Sequence, residues 1–308
     1  MRLLVAGPGA VGGFLAARLA GAGHDVTILA RPRRAARLRD DGLRVAEAAG
    51  TRTLRLPVVT AAGLAPGYDA ILLAVKSAAL DEVIADISPV TEPDTAILPF
   101  LNGMAHLDAL AGRFGKAVLG GVLRVVTQLA DDGTVQVLAP LFEVELGELD
   151  GSGSDRTEAL AAAFAEAGAD VTVSTDIVGA MWAKWVFIAS VGTVTSLMRA
   201  PIGDIVAVPG GEDFARSVLA EAAMAAAAAG HPVPAGQLDA TRQTLTAAGS
   251  PATSSLSRDL MAGRPTEVEA VLADFAGRAE AVGADTPLIA LSALALRVHN
   301  RRLALAIP

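Results

Sequence analysis

Three places in the sequence hold residues whose type and spacing could do chemistry. The first is Gly7-Pro8-Gly9-Ala10-Val11-Gly12, which follows the apolar run Leu3 to Ala6 and opens a helix-like stretch. A G-x-G-x-x-G turn between a strand and a helix is built to hold a dinucleotide. The first glycine permits the tight turn, the second lets the backbone approach a pyrophosphate, and the third lets helix and strand pack closely. The helix start adds free N–H groups and a partial positive charge. The competing reading is a glycine turn in an unrelated α/β protein, and its place as the first element of the chain speaks against that.

The second place is the end of the next apolar run, Val26 to Ala30. It finishes in Arg31-Pro32-Arg33-Arg34, and no acid follows until Asp40. Proteins that bind NAD place Asp or Glu here to accept a bond from the ribose 2′-hydroxyl. A guanidinium instead suits a 2′-phosphate, by charge and by its planar fork of donors. The expected cofactor is NADP(H). Lys76 and Asn102 each follow a later apolar run, where ligands bind in sheets of this kind. Taken singly, Lys76 could be a surface residue and Asn102 a turn former; their matched placement favours cofactor binding.

The third place is Lys184, in Met181-Trp182-Ala183-Lys184-Trp185-Val186-Phe187, flanked by both tryptophans of the chain. A Lys in an apolar helix is costly unless its ammonium reaches water or a partner. Either it snorkels to the surface or it faces a crevice, where it can give a proton to a ketone oxygen as hydride arrives. Glu267 is a candidate partner. A carboxylate in a first helical turn also has a plain electrostatic role, and Thr266 with Glu269 fits a capping box.

These residues need a scaffold. The short apolar runs Leu3 to Ala6, Val26 to Ala30, Ala70 to Val75, Ala96 to Phe100 and Ala117 to Gly121 suit buried parallel strands, with helical stretches between several of them. That alternation predicts a doubly wound α/β sheet. Between Leu123 and Gly147, Asp132-Gly133 and Ala139-Pro140 are expected turns between antiparallel strands extending the sheet. A helix over 155–167 and a last strand over 170–173 complete this part. From about Asp176 the chain turns to long Ala-rich helices, expected near 214–229, 236–248, 252–261, 267–282 and 286–302. The boundary is placed near residue 174, giving a dinucleotide-binding domain over 1–174 and an all-α substrate and catalytic domain over 175–308.

Composition narrows the classes. The 308 residues suffice for two domains, and with 52% hydrophobic and 19% charged residues they can bury a sizeable core. A net charge of −8 argues against nucleic acid and acidic membranes as partners. There is no Cys, and His24, His106, His231 and His299 are not spaced as metal pairs, so no metal is expected. Residues 177–198 are long enough to span a membrane, but Lys184 and Gly192 within them favour a buried helix. The expectation is a cytoplasmic enzyme with a small-molecule substrate; a homodimer is left open.

Together these marks resemble the ketopantoate reductase family (2-dehydropantoate 2-reductases). The likeness spans nearly the whole chain: the Gly7 to Gly12 turn, Arg31, Val75-Lys76, Asn102-Gly103-Met104, Trp182-x-Lys184, Ser254-Ser255 and Thr266-Glu267. The resemblance implies a Rossmann domain followed by a helical domain like that of 6-phosphogluconate dehydrogenase, with the active site in the cleft between them. It implies NADPH reduction of a 2-oxo acid, a step of pantothenate biosynthesis. Lys184 would donate the proton and Asn102 would help hold cofactor and Lys. Ser255, paired with Ser254, would bond the substrate carboxylate, and Glu267 would lie near Lys184 and the nicotinamide ribose.

The chain also departs from the family pattern. Family members carry Asn one turn and two turns beyond the catalytic Lys, where this chain has Ile188 and Gly192, and a further Asn where it has Ala252. Positions four and eight beyond Lys184 share its helical face, so the substrate side is more apolar and, at Gly192, more open. Ketopantoate or a related small 2-oxo acid or ketone is the first reading. A bulkier, less polar carbonyl substrate in a specialised pathway is the second, and a non-catalytic NADP-binding sensor the third.

Overall fold

The computed structural model describes residues 1–306. The chain separates into two compact units. One comprises Met1–Leu101 and His106–Ile177, the other Asn102–Ala105 and the described residues from Val178 onward. The helical unit thus includes four residues from the first half of the chain.

Within the first unit, four of the five apolar runs form buried parallel strands, while Ala117 to Gly121 leads into the antiparallel β8 (Leu119–Leu129) of a second sheet. Strands β1 (Arg2–Ala6), β2 (Asp25–Leu29), β5 (Val58–Val59), β6 (Ala70–Leu73) and β7 (Ala96–Pro99) make a parallel sheet in the order β5-β2-β1-β6-β7. The order reverses beside β1, and its carboxyl end meets the Gly7 turn. That is the switch point where doubly wound sheets bind ligands. Helices α1 (Ala10–Gly21), α2 (Pro32–Asp41), α3 (Leu80–Ile87), α4 (Ala105–Phe114) and α5 (Asp155–Glu166) complete the unit.

The antiparallel part differs from its expectation. Strands β8 (Leu119–Leu129) and β9 (Val135–Glu148) form a long hairpin turning at Asp132-Gly133, within a second sheet of order β10-β9-β3-β4. Its other members are β3 (Leu43–Glu47), β4 (Gly50–Leu54) and β10 (Asp170–Val173). One bridge, Ile97 to Val118, joins it to the first sheet among the described residues. The expected turn at Ala139-Pro140 is instead interior to β9. The hairpin absorbs the proline by a register shift opposite Val125 to Thr127, as bulges do.

The second unit is helical: α6 (Ile177–Met198), α7 (Ile202–Val206), α8 (Gly211–Ala228), α9 (Ala235–Leu245), α10 (Ser255–Met261), a π-helix (Glu269–Ala273), α11 (Asp274–Ala281) and α12 (Pro287–Leu305). Helix α6 is long and apolar enough to cross a membrane, yet 67% of its apolar window is buried within the protein. Its Trp182 and Trp185 rings lie 5.1 Å apart, and Phe275 of α11 sets its edge on Trp185 at 4.9 Å. The α12 start is held from α8: the buried Glu221 carboxylate accepts from Leu288 N and Ile289 N at 3.0 and 2.8 Å. Burial pushes that carboxyl above its ordinary range despite those two bonds.

Candidate functional site

In the first unit, Gly7 adopts φ +91°, and a Cβ there would lie 2.6 Å from Val75 Cγ1. A Cβ on Gly12 would overlap the Gly7 carbonyl oxygen. Gly9 is different, because a Cβ there would have no neighbour within 4 Å. The backbone of Gly9 therefore faces open space, and as N-cap of α1 it supplies no side-chain cap to the helix donors that follow. Tight packing behind, an open face in front and uncapped helix N–H groups fit a dinucleotide pyrophosphate. The turn's other residues, Pro8, Ala10 and Val11, complete this rim.

Arg31 is the N-cap of α2, with Pro32 in the first turn. Its guanidinium forms an ion pair with Glu82 of α3. No local pattern around Arg31 points to this partner, which lies fifty-one residues away. Arg34 is committed elsewhere, donating to the Gly133 carbonyl of the hairpin turn at 3.1 Å. Lys76 lies two residues beyond Val75's predecessor in β6's exit, exposed at the start of a 3₁₀ turn over Ser77–Ala79.

The remaining candidates fall in the second unit. Asn102 belongs there with Gly103, although both follow β7 in sequence. Gly103 has φ +83°, and a Cβ on it would overlap the backbone carbonyl oxygen of Ala270. Ala270 lies in the π-helix that begins just after Glu267. The next carbonyl, Val271, accepts the buried Trp185 indole N–H at 2.8 Å. The π-helix backbone therefore touches the residue after Asn102 and the residue after Lys184. Val271 N also bonds to the Glu267 carbonyl at 3.1 Å. Lys184, Ile188, Asn102 and Glu267 are all half-buried.

Several local expectations change. The Thr266–Glu269 capping box does not form. Thr266 N and Oγ1 instead bond to Asn300 Oδ1 at 2.9 and 3.2 Å, and Glu269 makes a two-bond pair with Arg297. Gly192 is not an open wall, because a Cβ there would lie 3.1 Å from Leu256 Cδ1 and 3.8 Å from Leu272 Cδ2. Leucines of α10 and the π-helix take that room.

The serine pair divides. Ser254 caps α10, accepting from Ser257 N at 2.9 Å, and pairs with Thr195 Oγ1 at 2.8 Å. Ser255 stands exposed as the first residue of α10. Ala252 lies in the preceding loop, where its carbonyl accepts from Ile202 N at 3.0 Å.

A parallel sheet with a glycine turn at its switch point, followed by a helical unit that carries a lysine among aromatics, defines a two-part nucleotide-dependent oxidoreductase fold. The chain matches the ketopantoate reductase PanE/ApbA profile over residues 3–151 and the ketopantoate reductase PanE/ApbA C-terminal profile over 176–299. It belongs to the ketopantoate reductase family. It is 32% identical to the uncharacterized oxidoreductase YkpB of Bacillus subtilis, over 87% of this chain and 88% of that one. It is 30% identical to the 2-dehydropantoate 2-reductase of Halobacterium salinarum, over 98% and 99%. The solved 2-dehydropantoate 2-reductase of Methylococcus capsulatus matches with a TM-score of 0.87 at 27% identity, covering 100% of this chain and 99% of its own. The protein is thus a pyridine-nucleotide-dependent oxidoreductase acting on small 2-oxo acids, with the expected Rossmann-plus-helical architecture.

Proposed function

We propose that the protein reduces ketopantoate or a related 2-oxo acid with NADPH, and that Lys184 donates the proton. One observation carries this reading: the π-helix backbone packs against the residues next to both Asn102 and Lys184, and starts beside Glu267. A purely structural lysine needs no such arrangement. When bound, NADPH supplies the hydride that attacks the carbonyl carbon. Lys184 would give its proton to the carbonyl oxygen as that oxygen gains charge, so the C=O becomes CH–OH and one proton is consumed. Asn102 and Glu267 would fix the ammonium, and Ser255 would bond the substrate carboxylate.

Gly7, Gly9 and Gly12 would seat the pyrophosphate, and Arg31 and Lys76 would hold the phosphorylated ribose end. These assignments rest on the open face of Gly9 and on the cationic ends of β2 and β6. The proposed setting is the cytoplasm, consistent with the burial of α6.

The apolar Ile188, one turn beyond Lys184, favours a second reading in which the preferred carbonyl is less polar than ketopantoate. With the room at Gly192 filled, that preference would come from the surface offered at Ile188 and not from added volume. The test is NADPH oxidation with ketopantoate and a series of 2-oxo acids bearing branched or aromatic groups, in the wild type and in Ile188→Asn. The expected result is a higher kcat/KM for an apolar 2-oxo acid, with Ile188→Asn shifting the ratio toward ketopantoate. A wide wild-type margin for ketopantoate would overturn the second reading; no oxidation with any 2-oxo acid would overturn both.

A further inference from the structure

The positive charge at the end of β2 is already answered before any cofactor arrives. Helix α3 buries Leu80, Val83 and Ile87. Glu82 and Asp86, four residues apart, then lie together on another face of the helix. Glu82 pairs with Arg31, and both side chains are well exposed, at 53% and 65%. Asp86 senses the same spot. Burial first, and then the charge of Glu82, raise its carboxyl above the ordinary range, while Arg31 pulls it back. Two carboxylates of α3 therefore act in the field of the one guanidinium that would choose between phosphorylated and plain ribose. The neighbouring Arg34 is tied to Gly133 and offers no obvious substitute.

We propose that Glu82 is a specificity-determining residue: by pairing with Arg31 it opposes a 2′-phosphate and draws the protein toward using NADH alongside NADPH. This rests on the reading of Arg31 as the 2′-phosphate ligand. An incoming phosphate dianion must displace Glu82 from Arg31 or sit beside it. A plain ribose brings no negative charge for the carboxylate to repel, so the electrostatic penalty falls on the phosphorylated ligand alone. Because the pair is solvent-exposed, the effect has the size of one screened charge interaction and shrinks with salt.

The test uses direct binding, with 2′-phospho-ADP-ribose and ADP-ribose titrated calorimetrically into the full-length wild type, Glu82→Gln, Arg31→Ala and the double variant. Glu82→Gln is expected to tighten 2′-phospho-ADP-ribose about three- to fivefold at low salt and to leave ADP-ribose within about twofold. The gain should fade at high salt and vanish in the Arg31→Ala background. If Arg31→Ala weakens the phosphorylated ligand at least about tenfold while Glu82→Gln changes nothing, or tightens both ligands alike, the inference falls and the reading of Arg31 stands. If Arg31→Ala leaves the two ligands equally bound, the reading of Arg31 falls and takes the inference with it.

Discussion

The indole nitrogen of Trp185 donates to the backbone carbonyl of Val271 at 2.8 Å, and the bond is buried. It ties α6, one residue past Lys184, to the π-helix, four residues past Glu267. π-Helical turns free carbonyls from the regular ladder and recur at functional sites. Trp185→Phe keeps an aromatic ring but removes the indole N–H and part of the buried volume, stranding the carbonyl at a cost of about 1–3 kcal/mol on top of the packing loss. The expected result is a lower melting temperature together with a fall in kcat larger than any rise in KM. Wild-type kcat in a destabilised Trp185→Phe protein would show that the bond holds the fold without positioning Lys184.

The glycine turn offers a cleaner separation of ligand from fold. Gly12→Ala must overlap the Gly7 carbonyl, whereas Gly9→Ala meets nothing within 4 Å and keeps a negative φ of −81°. Gly9→Ala should therefore melt close to the wild type yet bind NADPH at least about tenfold more weakly, since its methyl occupies the face a pyrophosphate needs. Gly12→Ala should lose stability outright. Thermal denaturation alongside NADPH titration checks both, and undiminished binding by Gly9→Ala would remove the turn from the cofactor site.

Lys184→Ala should lower turnover on the best 2-oxo acid by roughly two to four orders of magnitude, the range of positioned acid catalysis. NADPH affinity should hardly move, because the glycine turn and Arg31 lie in the other unit. Single-turnover rates with NADPH pre-bound separate the two effects. Near wild-type turnover would return Lys184 to a surface role.

One acid-sensitive contact lies at the end of β9. Glu148, largely buried, accepts from Arg156 Nε at 2.7 Å and from Ser154 Oγ at 2.6 Å. Burial pushes its carboxyl up, but the bonds and charge of Arg156 with Ser154 outweigh it and leave the group below the ordinary 4.5. Arg156 is correspondingly raised, first through its bond to Glu148. A carboxyl lowered in the folded state contributes stability above its unfolded value and loses it as pH falls through the folded one. Glu148→Gln should cost about 1–3 kcal/mol at neutral pH, and the gap to the wild type should close below pH 4.5. Taking the difference between the two proteins cancels other titrating groups, Glu221 among them. A gap independent of pH would show that the contribution is not electrostatic.

How much was legible in advance depended on how local each cause was. The strands under the glycine turn and the helices after 176 were visible because burial and periodicity act over neighbouring residues. The short β5, and β3 and β4 with their mixed faces, left little pattern. Pro140 reads as a break in isolation, and only the long pairing of β8 with β9 shows that a bulge can carry it. Thr266 and Glu269 fit a cap by spacing, but Asn300 and Arg297, about thirty residues on, compete for them and win. At the candidate site, residue types could nominate Arg31, Asn102, Lys184 and Glu267. They could not reveal Glu82 facing Arg31, or Leu256 and Leu272 filling the space at Gly192, because those neighbours come from distant parts of the chain.

The membership of Asn102–Ala105 in the helical unit bears on how such a protein can be recombined. Splicing the second half of one relative onto the first half of another at residue 177 would move Ala270 but leave its Gly103 neighbour behind. A donor whose π-helix carbonyl sits even slightly differently would meet an unmatched loop, with Asn102 displaced as well. Hybrids that carry over residues 102–105 together with 178–308 should keep activity where simple halves lose it. The piece that would have to be exchanged intact is the helical part plus the four residues Asn102–Ala105 from the other half of the chain.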